Sequence, residues 1–482
     1  MLFQSPGFLF VFLPLVLIGY AVARRLADPR ALIGWLILSS LVFYAQWQPK
    51  FVWLIVGSTT LNYGLGRWLG ATADHRRHRR GILALGLGIN LAVLGYFKYR
   101  GFFAQTVDAL AGIRFDPGAV VLPLGISFFS FQKIAYLIDV HRGTAPEKNF
   151  ARYFLFVVFF PQLIAGPIVH PGEILPQMRT AWSGPVEWDA VRRGTVFFVI
   201  GLAKKVLLAD GISPFLGTTF DAAAHGGSVG GTEAWSAALG YTLQLYFDFS
   251  GYTDMAIGLG LFFNIRLPFN FDRPYRSHSI QEFWQRWHMT LSRFIRDYVY
   301  IPMGGNRGGL PNHLRNLLLT MLVAGLWHGA GWTFVLWGGV HGIYLVIHDL
   351  WKRWAGGDGA EAGPRPFWTL PLTFVAVVAA WVLFRADSLA AAGRLYAAMA
   401  GVHGWGSLPH GNLVGWLIGG TAIIFLAPTT QQWAGMAPEG APQWRSPLPR
   451  SRSAAGLLAL LAFFSLRAIF SEPSSEFIYF NF

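Results

Sequence analysis

Long apolar runs separated by short basic loops constrain this chain more than any other feature. Runs long enough to cross a bilayer as a helix, at about 20 residues each, lie near 7–23, 31–47 and 51–69, and a longer one covers 317–347. Only 13% of the 482 residues are charged and 54% are hydrophobic, whereas soluble domains contain roughly 25% charged residues. Backbone in lipid must satisfy its own hydrogen bonds, which favours helices. The sequence therefore predicts an all-α polytopic membrane protein, with residues 1–482 as one integral-membrane domain.

The charge distribution predicts an orientation in the membrane. The first apolar run has no basic residue before it and is followed by Arg24, Arg25 and Arg30. Because basic residues collect in cytoplasmic loops, we expect the N-terminus outside and these arginines inside. Cytoplasmic loops and lipid headgroups then explain the net charge of +14, and no nucleic-acid partner is expected. The chain has no cysteine, which excludes thiol catalysis, Cys-based zinc sites and disulfides.

The most polar stretch, residues 266–314, is predicted to be an amphipathic or re-entrant segment on the cytoplasmic side. Together with the next residue it contains eight arginines, at positions 266, 273, 276, 286, 293, 296, 307 and 315. Ser279 is expected to cap a helix in which Glu282 completes a capping box. On that helix His288 and Ser292 are four residues apart and would share a face.

A histidine, His328, lies in the segment GLWHGAGW inside the long apolar run. An ionisable group at membrane depth is costly, so it is either a hydrogen-bonded packing residue or part of a functional site. The segment FWQRWH favours a site, because His288 also lies beside a tryptophan and near a predicted helix end. His341 comes thirteen residues after His328. On a continuous helix it would face nearly the opposite way, which predicts a structural or supporting role.

Two acids, Asp248 and Asp254, interrupt the apolar segment YFDFSGYTDMA. Carboxylates in such a segment need partners. They either form structural ion pairs, with Arg286 or Arg296 as candidate partners, or line an internal polar cavity. A second irregular stretch, residues 121–140, contains Pro123 and Gly125 and is expected to be a broken or re-entrant element.

Several long motifs occur in order along the chain: LPLGISFFSFQ, FPQLIAGPI, LYFDFSGYTDMAIGLG, FWQRWHMTLSRFIRDYVYIPMGGNR, GLWHGAGW and the terminal FIYFNF. Through these motifs the sequence resembles the membrane-bound O-acyltransferase (MBOAT) family, in particular its bacterial branch that acts in alginate O-acetylation. The resemblance implies a ring of transmembrane helices around a central tunnel. It also implies that His328 is the essential histidine and His288 the second active-site residue. One departure is Phe294, where the branch often has Trp, which bears on substrate detail.

The same resemblance implies the reaction and its setting. An acyl group, usually acetyl in this branch, would come from a cytoplasmic donor such as acetyl-CoA or another acyl thioester, with no bound cofactor. It would be moved across the bacterial inner membrane for O-acetylation of an extracytoplasmic polysaccharide, alginate or another exopolysaccharide. A periplasmic acetyltransferase or acceptor protein would complete delivery. Candidate residues for binding the donor are Trp327, Arg286, Asp248 and Asp254.

The residues themselves suit direct acyl transfer, with His328 as general base and His288 orienting the donor or stabilising the oxyanion. Metal binding is the competing interpretation of two histidines, but zinc sites need three or four ligands and no H-E-x-x-H motif occurs. The rival classes are a polysaccharide or lipid-linked substrate transporter and a non-catalytic scaffold of an acetylation complex. Transporters typically contain internal repeats, which this sequence lacks.

The C-terminal aromatic tail, residues 471–482, ends in SSEFIYFNF. Such a tail is ordinarily an anchor at the membrane interface. Its Tyr479 also offers a hydroxyl near the chain end. A second hypothesis is therefore that Tyr479 carries the acyl group between the membrane enzyme and its partner protein.

Overall fold

The part of this chain that the structure describes is built from helices joined by turns and loops. The computed structural model describes residues 1–26, 28–72, 75–113, 118, 120–356, 366–407, 411–437, 452–471 and 475–481. Within these ranges there is no β-strand. The α-helices are α1 Leu13–Arg25, α2 Pro29–Ala45, α3 Val52–Ala71, α4 Arg76–Leu94, α5 Arg100–Ala111, α6 Ile126–Arg142, α7 Phe150–Val158, α8 Phe160–Leu163, α9 Pro171–Thr180, α10 Trp188–Ala203, α11 Asp210–Ile212, α12 Gly217–Ala224, α13 Gly231–Phe262, α14 Ile280–Arg286, α15 Met289–Ile295, α16 Leu310–His328, α17 Trp332–Trp354, α18 Thr369–Arg385, α19 Leu389–Met399, α20 Gly411–Leu426, α21 Thr430–Ala434 and α22 Arg452–Ser471. Short π-helical segments continue several of them, at Phe8–Phe12, Gly95–Tyr99, Lys204–Ala209 and Arg296–Tyr300.

Four helical segments of the described chain are long and apolar enough to cross a membrane. They are Phe8–Arg25, Arg76–Ala111, Trp332–Trp354 and Arg452–Ser471. Shorter apolar helices are α2, α18 and α20. The prediction of an all-α polytopic membrane protein is confirmed, whereas the central tunnel and the number of crossings stay predictions.

The chain packs as two compact units. The first consists of residues 1–202, 252–268 and 434–480, and the second mainly of 203–251 and 269–433. Helix α13 supplies its first part to the second unit and its last part to the first. The prediction of one integral-membrane domain over residues 1–482 stays a prediction.

The stretch 121–140, expected to be broken, contains an uninterrupted helix in the first unit. Pro123 and Gly125 precede α6, and Gly125 has a left-handed backbone with φ of +71°. Because both residues lie outside the helix, they set its start and do not break it. Lys133 on α6 is 1% exposed, and its Nζ donates to Ser58 Oγ at 2.8 Å.

A helical hairpin dominates the second unit, because α16 and α17 approach each other at backbone distance. An ideal Cβ built on Gly325 would lie 2.3 Å from the carbonyl oxygen of Phe334. One built on Gly338 would lie 2.2 Å from the carbonyl oxygen of Met321. Only residues without a Cβ allow these contacts. The pair of glycines therefore sets the distance between the two helices.

We expect Gly338→Ala to destabilise the protein by about 1–3 kcal/mol, since the added methyl meets backbone that cannot move independently. Gly339→Ala is the matched control, because its Cβ would meet only Leu322 Cδ2 at 3.5 Å, an ordinary contact. Thermal unfolding of both variants in detergent measures the difference. Equal midpoints for the two variants would contradict the role given to Gly338.

Candidate active site

His328 lies at the point where the hairpin turns. It is the last residue of α16, and the extended residues Gly329 and Gly331 separate it from α17, so the predicted break is confirmed. Its side chain is buried, with the residue 2% exposed. The rings of Trp337 and Phe384 contact the imidazole edge to face, with centroids 5.0 and 5.2 Å away. The histidine is thus enclosed by aromatic side chains at a helix C-terminus.

His288 also lies at a helix break, between α14 and α15. The predicted Ser279 cap at the start of α14 is confirmed, since Ser279 Oγ accepts from the Glu282 backbone N–H at 3.1 Å. The Glu282 carboxylate accepts from the backbone N–H of His278 at 2.8 Å, one residue before the position that the predicted capping box requires. The expectation that one helix continues through His288 to Ser292 is wrong. Helix α14 ends at Arg286 because Trp287 is extended, and His288 follows in a left-handed conformation, with φ of +43° and ψ of +52°. Such backbone is uncommon for a residue with a side chain and marks a position worth a functional explanation.

Asn270 holds this break in place. Its carbonyl oxygen accepts from the backbone N–H of Met289 at 3.0 Å, and its Oδ1 accepts from Thr290 Oγ1 at 2.6 Å. Both bonds are accepted by a residue that precedes α14, and the bond from Thr290 is buried. The strain at His288 is therefore supported by a distant part of the chain, which local helix signals do not reveal.

The structure brings the two predicted site histidines together. Their ring centroids are 6.3 Å apart at an angle of 64°, and His288 is fully buried. Trp327 lies against both rings, with centroid distances of 4.9 Å to His328 and 5.9 Å to His288. Phe249 of α13 closes the other side of His288 at 4.7 Å. Two imidazoles at this distance in an aromatic enclosure can act on one bound group.

His341 lies close to the same cluster, and no continuous helix joins it to His328. Because the chain turns at Gly329–Gly331, His328 and His341 are on different arms of the hairpin. Both imidazoles contact Trp337, with centroids 5.0 Å and 4.9 Å from the indole. His341 is fully buried, and Trp284 Nε1 donates to its Nδ1 at 3.3 Å. A supporting role for His341 stays a prediction.

Asp248 forms an ion pair, which was one of the two alternatives predicted for it, but its partner is not one of the predicted arginines. Lys205 Nζ lies 2.8 Å from Asp248 Oδ1 and 2.8 Å from Asp210 Oδ1. The expected partners are wrong, because Arg286 pairs with Glu282 at 2.7 Å. Arg296 in turn pairs with the adjacent Asp297 at 2.7 Å. Sequence reasoning missed Lys205, whose only signal was its place in an apolar run.

The remaining candidates lie in the first unit. Asp254 is buried, at 4% exposure, in the last part of α13. Tyr479 is 8% exposed and stacks on Phe477 at 5.5 Å, which in turn stacks on Tyr252 at 4.6 Å. The tail side chains Phe477 and Tyr479 are therefore packed inside the unit, whereas the side chains of an interface anchor would face lipid. Residues 472–474 and 482 of the predicted tail lie outside the described residues.

Comparison with known proteins identifies the class to which this helical membrane fold and its buried histidine pair belong. The family model described as MBOAT, membrane-bound O-acyltransferase family, matches residues 147–356. That range includes both histidines and both helices of the hairpin, α16 and α17.

Two of three similar proteins extend the match over most of the chain. A peptidoglycan O-acetyltransferase of Helicobacter pylori is 41% identical over 436 residues, covering 84% of this chain and 80% of that protein. A probable alginate O-acetylase, AlgI, of Azotobacter vinelandii is 43% identical over 411 residues, covering 84% and 79%. A teichoic acid D-alanyltransferase of Streptococcus thermophilus is 28% identical over 282 residues, covering 54% and 68%.

The chain belongs to the membrane-bound O-acyltransferase family. It is an enzyme that transfers an acyl group to a hydroxyl, which confirms the predicted class of activity. It is also a membrane protein, as the family and its apolar helices require.

We expect Lys205→Met to destabilise the protein by about 3–5 kcal/mol, because it leaves two carboxylates without their buried cation. Lys205→Met combined with Asp248→Asn should lose less, since the more buried carboxylate is neutralised. Lys50→Met, at an exposed lysine, is the control and should change stability by no more than about 0.5 kcal/mol. Thermal unfolding in detergent compares the three. A single variant no less stable than the double variant would contradict the ion-pair assignment.

Proposed function

We propose that this O-acyltransferase takes an acetyl group from a cytoplasmic thioester, acetyl-CoA or a related donor, and passes it across the bacterial inner membrane to an extracytoplasmic polysaccharide. The observation that carries the proposal is the buried pair of histidines, 6.3 Å apart, at two helix breaks. Acetyl is favoured because the relatives at 41–43% identity are named for O-acetylation, whereas the D-alanyltransferase is 28% identical. Alginate and peptidoglycan enzymes are similarly close, which supports a polysaccharide acceptor as a class.

His328 acts as the general base of the proposed reaction. It takes the proton of an acceptor hydroxyl, whose oxygen attacks the acyl carbon of the thioester. A carbon–oxygen bond forms, the carbon–sulfur bond breaks, and the leaving thiolate takes the proton from His328. The position of His328 at the C-terminus of α16 supports this role. Helix C-termini carry a partial negative charge that stabilises an imidazolium.

His288 orients the donor or stabilises the oxyanion that forms during the attack, since a ring N–H can donate to either. Among the candidates for donor binding, Trp327 is supported best, because it contacts both histidines. Arg286 and Asp248 are engaged in ion pairs with Glu282 and Lys205. Their part in donor binding, like that of Asp254, rests on the sequence alone.

Delivery to the polymer requires a carrier or a partner, and we assign the first of these roles to Tyr479. Its hydroxyl would receive the acetyl group as an ester and pass it to a periplasmic acetyltransferase or acceptor protein. The short segment Ile478–Asn481 holds Tyr479 by stacking on Phe477.

We expect His328→Ala to lower the turnover of radiolabelled acetyl-CoA in nanodiscs by at least about 10²-fold, the lower bound for a positioned general base. His348→Ala, a half-buried histidine further along α17, is the matched control and should retain wild-type turnover. Equal turnover in wild type and His328→Ala would contradict the assignment of His328 as the general base. Absence of turnover in the wild type, with and without periplasmic extract, would reject acetyl-CoA as the donor.

We expect Tyr479→Phe to abolish acetylation of the polymer while the protein still folds, because phenylalanine keeps the stacking and removes only the hydroxyl. Wild-type protein incubated with labelled acetyl-CoA should yield a C-terminal peptide that carries acetyl on Tyr479 by mass spectrometry. Tyr20→Phe, which removes another buried hydroxyl of the first unit, serves as control. Full polymer acetylation by Tyr479→Phe would eliminate the carrier role.

A further inference from the structure

His341 has a defined tautomer because of its neighbour Trp284. The indole N–H of Trp284 donates to His341 Nδ1 at 3.3 Å, and both residues are buried. An indole nitrogen is a donor only, so Nδ1 of His341 must accept and cannot carry a proton. The imidazole is therefore neutral, with its proton on Nε2.

The Nε2–H of His341 and the indole Nε1–H of its neighbour Trp337 are both buried hydrogen-bond donors. Within the described part of the chain, neither His341 Nε2 nor Trp337 Nε1 has a hydrogen-bond partner. Both residues are 0% exposed, and their ring centroids are 4.9 Å apart. Buried polar groups in proteins are nearly always paired. Two unpaired donors on contacting, buried rings indicate a binding position for a hydrogen-bond acceptor that the described residues do not supply.

The donor pair adjoins the candidate base. The indole of Trp337 contacts both histidines, edge to face with His328 at 88° and with His341 at 67°. Trp381 stacks on the same indole at 5.6 Å and 17°, which fixes the plane of the ring. The donors are thus held rigidly, as electrostatic stabilisation of a developing charge requires.

We propose that the Nε2–H of His341 and the Nε1–H of Trp337 hold the carbonyl oxygen of the acyl thioester next to His328. This inference rests on the proposed function, which supplies the oxygen. As the acceptor hydroxyl adds to the carbonyl carbon, negative charge develops on that oxygen and both hydrogen bonds strengthen. His341 transfers no proton, because it only donates. Of the two roles proposed for His288, orientation of the acyl donor then remains, because His341 and Trp337 stabilise the oxyanion.

The tautomer is tested by nitrogen NMR of protein labelled with ¹⁵N in its histidine rings, in nanodiscs. We expect one ring, absent from the spectrum of His341→Gln, to carry its proton on Nε2. Trp284→Phe should shift that signal because its Nδ1 loses a donor. A proton on Nδ1, or a doubly protonated ring, would overturn the inference whether or not the protein turns over acetyl-CoA.

Binding of the carbonyl is tested on the same sample with a ketone analogue of acetyl-CoA that cannot transfer its acyl group. The Nε2 resonance of His341 should shift on addition of the analogue, and coenzyme A, which lacks the acyl carbonyl, should leave it in place. Equal spectra with the two ligands would overturn the assignment of the acceptor. This readout requires no catalysis, so it separates failure of the inference from failure of the proposed reaction.

The kinetic test uses side chains that keep or remove the donors. His341→Leu and Trp337→Phe should each lower kcat about 10²- to 10³-fold, as loss of one oxyanion donor does, with KM little changed. His341→Gln keeps an N–H donor and should recover most of the lost kcat. Trp351→Phe, an exposed tryptophan of α17, is the control. Equal kcat for His341→Gln and His341→Leu would show that the donors hold only a structural water.

Discussion

The backbone contact between α16 and α17 is the constraint on which the rest of the site depends. Because Gly325 and Gly338 have no side chains, the two helices approach until main-chain atoms touch. That approach places Trp337 of α17 against His328 of α16, while His341, one turn further along α17, contacts the same indole. A hairpin spaced by side chains would separate the rings of Trp337 and His328. The surroundings of His328 therefore depend on two glycines that have no side chains of their own.

The second histidine is fixed by a different physical device. A left-handed residue with a side chain costs about 1–2 kcal/mol, and the hydrogen bonds from Met289 and Thr290 to Asn270 offset that cost at His288. Both histidines thus terminate or interrupt helices, one by a glycine break and one by backbone strain. A side chain at such a position is held by the fold on both sides, and this suits a site that must be organised before its substrate arrives.

Charges within this membrane protein are accommodated in two ways. Lys205 bridges Asp210 and Asp248 in the second unit, so that the cost of burying three charges is offset by short ion pairs. Lys133 in the first unit instead has Ser58 Oγ and the ring of Phe129, whose centroid is 4.4 Å from Nζ. The ion network lies in the unit that contains the histidine pair. The aromatic cluster around that pair keeps water away from it.

The sequence by itself determined the class of protein, the choice of His288 and His328 as candidate site residues, the cap at Ser279 and the glycine break after His328. These features follow from hydropathy, local capping chemistry and motifs, all of which are read within a few residues. Only the tertiary structure decided that His288 is left-handed, that Asp248 pairs with Lys205, and that His341 shares Trp337 with His328. The first two outcomes depend on residues far apart in the chain, and the third depends on the contact between the two arms of the hairpin. Packing brings such residues together, and no local pattern encodes the distance between them.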